Sequence, residues 1–223
     1  MGIIKLSEVT YTYRNKYQTV HALRGIDCEF EIGSCYAVVG KSGSGKTTML
    51  SLMAGLDLPT TGSIFFEGVS TADMDLDEYR RNKVSVIYQS FHLFGLLTAL
   101  ENVMYPLELR GMDVHKAKEI AKGHLLSVGI NESQFGRFPG MLSGGEQQRV
   151  AIARALASDT KLILADEPTG NLDTENSENI IDLLCSLAHD KSYCVIIITH
   201  DMGILPKMDY VYRITDGHIE AQS

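Results

Sequence analysis

The chain has 223 residues, 44% of them apolar, and a formal net charge of −8. That size suits one α/β domain with an ample core, and the acidic balance excludes a broad nucleic-acid-binding face, where lysine and arginine must outnumber the acids. No apolar run reaches the roughly 20 residues that span a bilayer, the amino terminus lacks a signal-peptide layout, and Met1-Gly2 with Leu6 does not fit an acylation pattern, so the chain is expected to stay in the cytosol.

From residue 3 to 13 apolar and polar residues alternate (Ile4, Leu6, Val9, Tyr11, Tyr13), and residues 22–32 repeat the habit. Both read as half-buried antiparallel strands separated by turn-rich breaks at Asn15-Lys16 and at residues 31–34. Tyr13 reads either as one more packed strand residue or as a ring free to stack on a nucleobase. Cys28, Cys35, Cys185 and Cys194 have no CxxC spacing and are expected to be buried reduced thiols, not a disulfide framework or a zinc site.

The apolar run at residues 35–39 leads into Gly40-Lys41-Ser42-Gly43-Ser44-Gly45-Lys46-Thr47, which fits GxxxxGK[ST] at every fixed position, and residues 48–54 read as a helix stopped by Gly55. Strand, glycine loop and helix in that order make an anion cradle: curled backbone points N–H groups inward, and the helix presents its positive dipole end. Lys46 is placed to reach the β- and γ-phosphates of a nucleotide, and the Thr47 hydroxyl to join the shell of a Mg²⁺ ion.

Further strands are expected at residues 63–67, after a turn at Pro59-Thr60-Thr61-Gly62, and at residues 84–88, ending at Gln89. Ligands of open α/β sheets gather at the carboxyl ends of strands, so Gln89 is either an ordinary loop residue or a ligand contact. Residues 91–100 are unusually apolar for a connection and suit either a docking surface or packing inside a helical subdomain. Helices are expected at residues 100–109 and 114–128, the second with Val114, Ala117, Ala121, Leu125 and Val128 on its apolar face.

A break at Phe138-Pro139-Gly140-Met141 precedes Leu142-Ser143-Gly144-Gly145-Glu146, which opens a helix over residues 147–156. Its serine hydroxyl, glycine N–H groups and helix dipole suit a second anion site or an ordinary N-cap. The strand at residues 162–165 then delivers Asp166 and Glu167, an adjacent pair able to divide the work of phosphoryl transfer, one carboxylate on Mg²⁺ and the other polarising a water. Asn171-Leu172-Asp173 forms a turn, residues 177–188 a helix, and residues 195–199 a buried strand ending at His200. The other six histidines read as solvated or packing residues, and residues 208–219 as a closing hairpin with Gly217 at its tip.

GKSGSGKT, Gln89, LSGGE, LILADE, NLD and His200, in this order and over essentially the whole chain, resemble the ATP-binding subunit of ABC transporters. LSGGE just upstream of LILADE separates that family from other phosphate-loop proteins, and LLTALENV, ADEPTGNLD and ITHD are most similar to its subgroup serving lipoprotein release, macrolide or peptide-antibiotic export and cell-division complexes. The resemblance implies an α/β phosphate-loop NTPase fold of ABC type: a mainly parallel core sheet flanked by helices, an amino-terminal antiparallel β layer, and a helical subdomain at about residues 90–157 inserted in a single domain of residues 1–223.

It also implies a head-to-tail homodimer in which ATP and Mg²⁺ bound on residues 40–48 of one chain, Thr48 included, are capped by Ser143, Gly144, Gly145 and Glu146 of the other. Tyr13 stacks on adenine in this scheme; Thr47, Gln89 and Asp166 organise Mg²⁺; Glu167 is the general base; His200 holds the γ-phosphate and the attacking water; Asp173 lies at the junction. Residues 91–100 line a groove for a separately encoded membrane permease, which puts the chain on the inner face of the cell membrane. Glu146 stands where glutamine is commonest, and Lys41 where proline or a small residue is usual. A rival function, a soluble ABC ATPase of chromosome maintenance, DNA repair or translation, calls for coiled-coil insertions, a second cassette or basic extensions, none of which is visible in the sequence.

Overall fold

A computed structural model describes residues 2–14 and 16–222; Met1 of the acylation pattern and Asn15 of the first turn lie outside the described residues. In chain order the elements are β1 (Ile4–Arg14), β2 (Thr19–Phe30), β3 (Cys35–Val39), α1 (Lys46–Met53), β4 (Thr61–Phe66), β5 (Val69–Ser70), α2 (Leu76–Asn82), β6 (Val84–Tyr88), α3 (Ala99–Leu109), α4 (Val114–Ser127), α5 (Gly144–Ala157), β7 (Leu162–Asp166), α6 (Thr174–Lys191), β8 (Cys194–Thr199), β9 (Tyr210–Thr215) and β10 (His218–Gln222). They make two sheets. An antiparallel one is ordered β2-β1-β4-β5, and the central one β10-β9-β3-β8-β7-β6. From β9 to β6 neighbouring strands of the central sheet run parallel, and β10 turns back along its edge.

Alternation along the central strands divides the core in two. On β7, Ile163 and Ala165 join the cluster formed with α3 to α6, as do Val195 and Ile197 on β8. The intervening Leu162, Leu164, Cys194, Ile196 and Ile198 face the other cluster, built with the antiparallel sheet and α1. A strand buried on both faces reads as an unbroken apolar run, which is why residues 35–39 and 194–199 carry almost no polar side chain.

β1 breaks its own alternation: Leu6 and Val9 are both buried although three residues apart, because the register against β2 shifts between them and Glu8 takes a positive φ of 49°. That is a bulge. On α4 the expected face is buried at Ala117, Ala121, Leu125 and Val128, but Val114, the first residue of the helix, is 56% exposed. Asp113 caps that first turn, accepting from the His115 N–H at 2.9 Å. Among the described residues no helix is long and apolar enough to cross a membrane.

Candidate active site

Four parallel neighbours, β3, β8, β7 and β6, end along one edge of the central sheet, and each ends at a residue with chemistry. β3 runs into the glycine loop, β6 into Gln89, β7 into Asp166 and Glu167, and β8 into His200. The carboxyl ends of strands in such a sheet are where ligands collect. A cavity of about 970 Å³ lies there, lined by loop residues 42–43 and 45–48 together with Tyr13, Gln89, Glu167 and His200.

The glycine loop is built for close approach. Gly45 holds a φ of +111°, and a Cβ there would come within 2.5 Å of the Ala22 carbonyl, so only glycine fits. At Gly40 a Cβ would meet the Ile214 carbonyl at 2.3 Å and Ser44 Oγ at 2.7 Å. Lys46 is buried, and its ammonium donates to the carbonyls of Gly40 at 2.8 Å and Lys41 at 3.0 Å. Among the described residues no carboxylate lies within ion-pairing distance of it. Among the described residues the buried Ser44 hydroxyl has no partner. A buried cation without a counter-ion and an unpartnered hydroxyl in a loop at a helix N-terminus fit a phosphate group.

Glu167 is the most constrained carboxylate of the site. Its N–H donates to the Ile198 carbonyl at 2.8 Å, and its backbone takes a positive φ of 47°, which is costly for a residue with a Cβ. Its two oxygens are held separately: Thr199 Oγ1 donates to Oε2 at 3.0 Å, and His200 Nδ1 to Oε1 at 2.7 Å. The side chain is fixed with one edge toward the cavity. Asp166, beside it, is pushed above the ordinary carboxylate value by burial and by the charge of Glu167, against the opposing pull of Lys46. An acidic pair under such strain suits a divalent cation.

Tyr13 stands half exposed at the cavity mouth, its hydroxyl 3.2 Å from Thr48 Oγ1 and its ring edge-on to Tyr11 at 4.8 Å. Gln89 is tied in through its carbonyl, which accepts from Asn171 Nδ2 at 2.9 Å.

Comparison with known proteins fits this geometry. The ABC transporter family matches residues 23–170. The chain belongs to the ABC transporter family. It is 42% identical over 217 residues to the ABC transporter ATP-binding protein YclH of Bacillus subtilis (strain 168), covering 97% of this chain and 95% of that one. It is likewise 42% identical over 220 residues to the lipoprotein-releasing system ATP-binding protein LolD of Chromohalobacter salexigens, covering 97% and 92%. Among solved structures, the dimeric post-hydrolysis state of the ATP-binding cassette MJ0796 of Methanocaldococcus jannaschii, bound to ADP and Pi, superposes with a TM-score of 0.90 at 36% identity and covers 99% of this chain and 98% of that one.

Within this ABC chain the LSGGE residues stand apart from the cavity. Ser143 caps α5 in a reciprocal box, its hydroxyl accepting from the Glu146 N–H at 3.3 Å while Glu146 Oε2 accepts from the Ser143 N–H at 2.7 Å. Gly144 and Gly145 lie against residues 171, 172 and 176 of the same chain, and none of the four lines the cavity. The N-cap role is therefore met; the Ser143 hydroxyl also bonds the Glu146 carboxylate, so in this arrangement it is the glycine N–H groups that the capping bonds leave for a ligand from outside.

The sequence reading missed one wall. His21, Arg24, His218 and the turn at Asp216-Gly217 also line the cavity, the two histidines exposed there as solvated residues are. The turn is bonded in place, Gly217 N–H donating to the Ser44 carbonyl at 3.1 Å and Arg24 N–H to the Gly217 carbonyl at 2.8 Å. The one available signal was register: in a hairpin that pairs Tyr13 with Val20, His21 pairs with Thr12, whose hydroxyl lies 3.0 Å from His21 Nδ1, at the same end of the hairpin as Tyr13.

Proposed function

We propose that this ABC subunit binds ATP on its glycine loop, hydrolyses it as half of a head-to-tail homodimer, and thereby drives a separately encoded permease. The observation that carries the reading is the fixed Glu167 carboxylate beside a phosphate-ready loop, in a chain whose LSGGE residues do not reach their own cavity. A second copy supplies them: Ser143, Gly144, Gly145 and Glu146 of one subunit cap the nucleotide held by residues 40–48 of the other.

In this scheme Tyr13 stacks on the base, and Lys46 leaves its two carbonyls to grip the phosphates. Thr47, Gln89 and Asp166 hold Mg²⁺, which when bound neutralises phosphate charge and relieves the crowding of Asp166 against Glu167. Glu167 accepts a proton from the water that attacks the γ-phosphorus; the new O–P bond forms as the bond to the bridging oxygen breaks, and ADP departs with that electron pair. His200 keeps the base aimed and holds the γ-phosphate. Residues 90–157 act as a helical subdomain inserted in one ABC domain of residues 1–223.

The permease belongs to the exporter or mechanotransmission kind, of the lipoprotein, macrolide or peptide-antibiotic type, and it holds the subunit peripherally at the cytoplasmic face of the membrane. Likeness to a lipoprotein-releasing ATP-binding protein over nearly the whole chain supports that subgroup. A role on DNA or in translation is disfavoured by the net charge of −8.

Glu167→Gln is expected to keep ATP affinity, lower kcat by roughly 10²- to 10⁴-fold, the range for loss of a general base, and accumulate an ATP-dependent dimer in size-exclusion chromatography. Near-normal turnover would overturn the assignment of the base.

A further inference from the structure

The core holds a pair of thiols that the nucleotide site does not use. Cys35 begins β3 and Cys185 lies within α6, 150 residues apart in sequence, yet their Sγ atoms are only 3.3 Å apart. Both belong to the cluster between the central sheet and the helices, Cys35 with no exposure and Cys185 with 8%. Met208 Sδ is 3.9 Å from Cys35 Sγ, and the Lys207 carbonyl 3.5 Å from Cys185 Sγ.

On the solvent side, one turn along α6, His189 Nε2 lies 2.8 Å from Asp209 Oδ2, and that same carboxylate oxygen accepts from the Cys35 N–H at 2.7 Å. Two thiols, an imidazole and a carboxylate thus form one cluster at the start of β3, the opposite end of that strand from the phosphate loop.

The two sulfurs are inequivalent. The contact with the Cys35 thiol favours a thiolate at Cys185 and holds it below the ordinary thiol value, with His189 assisting and with burial and the Asp209 and Asp182 carboxylates opposing. The same contact, together with burial, raises Cys35. The remaining thiols sit in the other cluster with no such help, burial raising Cys28 strongly and pushing Cys194 up to about 12. One nucleophilic sulfur therefore has a second thiol already in contact.

We propose that Cys35 and Cys185 are a redox modification site at which a hydroperoxide makes a reversible disulfide between β3 and α6. The Cys185 thiolate attacks a peroxide oxygen; the O–O bond breaks, leaving sulfenic acid on Cys185 and, after protonation, one water from hydrogen peroxide. Cys35 sulfur then attacks the sulfenic sulfur, the S–O bond breaks, and a second water leaves with the Cys35 proton. Two thiols lose two electrons in all, and one hydrogen peroxide becomes two waters. Of the common oxidants a small peroxide best suits a sulfur this buried. The bond closes a 150-residue loop and restrains the unfolded chain.

The test treats the intact chain with hydrogen peroxide, removes the oxidant, unfolds the chain in denaturant and blocks the remaining thiols with an alkylating agent, and maps peptides by mass spectrometry with a parallel melting measurement of the oxidised chain. The expected result is a cross-linked peptide pair joining Cys35 to Cys185, alkylation of Cys28 and Cys194 alone, and a Tm gain of about 5–10 °C that dithiothreitol reverses. Cys185→Ala removes both the cross-link and the gain, and Cys28→Ala keeps both. Cys35, fully buried, is less suited to mutation, and the peptide map of the unmodified sequence stands without it. Sulfinic acid on Cys185 with Cys35 still alkylated, cross-links through Cys28 or Cys194, or four alkylated thiols would each overturn the proposal.

Discussion

Asp166 carries a cost that its neighbours explain. Because burial and Glu167 raise its pKa in the folded protein above the ordinary 3.8, the folded state resists its ionisation, and the resulting destabilisation appears as pH rises through the folded value and fades toward 3.8. Asp166→Asn is therefore expected to raise the Tm of the nucleotide-free chain at pH 7 while abolishing Mg²⁺-dependent turnover, and the Tm gain shrinks as pH is lowered; differential scanning calorimetry across pH checks the sign. An active-site residue that destabilises its own fold is the usual exchange of stability for function. That Asp166 and Glu167 form the acidic pair was legible in the sequence, since an apolar strand delivers them next to a phosphate loop. The φ of 47° at Glu167 was not, because it depends on the Ile198 carbonyl of a strand 31 residues downstream.

The connection from β6 to α3 packs in part and is exposed in part. Phe91 and His92 both take positive φ values, and the Arg154 guanidinium on α5 holds their carbonyls at 3.0 and 2.7 Å. Asn102, fully buried on α3, donates to the carbonyls of Phe94, Leu97 and Thr98. Anchored this way, Leu93 and Leu100 pack on the core while Leu96 is left 93% exposed. Packing and exposure are thus divided among neighbouring residues, a division that an apolar run without periodicity cannot reveal, and the exposed ones are those proposed to dock. Leu96→Asp is expected to leave the Tm within about 1 °C, as surface changes do, yet to reduce recovery of the subunit with detergent-solubilised permease; unchanged recovery would argue against this loop as the docking element.

Across the whole molecule, strands and helices were readable from period and turn residues, and the parallel centre from its apolar runs. Pairings between distant segments were not, such as β4 against β1 or β9 against β3, and it was the hairpin following β9 that completed the unexpected wall of the cavity. Long-range tethers of this sort also set the pH response. The bond to Asp209 lifts the His189 pKa above 6.5, with slight burial opposing. Burial would raise Asp209, but the Cys35 N–H and His189 outweigh it and leave it below 3.8. The histidine contribution is complete below 6.5 and is lost as pH rises through the raised folded value, whereas the aspartate contribution is lost as pH falls through its depressed one. His189→Ala should therefore cost most between 3.8 and 6.5, up to about 1 kcal/mol for so exposed a pair, and little at alkaline pH; urea titrations at several pH values measure it.

The contact between Asn171 and Gln89 has a mechanical meaning. Asn171 lies four residues beyond Glu167, the proposed base, and Gln89 stands where β6 gives way to the loop proposed to dock, so under the proposed function the two segments are parts of a gear train meshed through an amide hydrogen bond. Such a bond is worth only about 1 kcal/mol, which makes it the slackest tooth in the train. Asn171→Ala is therefore expected to lower permease-stimulated ATP turnover while leaving ATP affinity unchanged, with ATPase assays with and without the permease as the check.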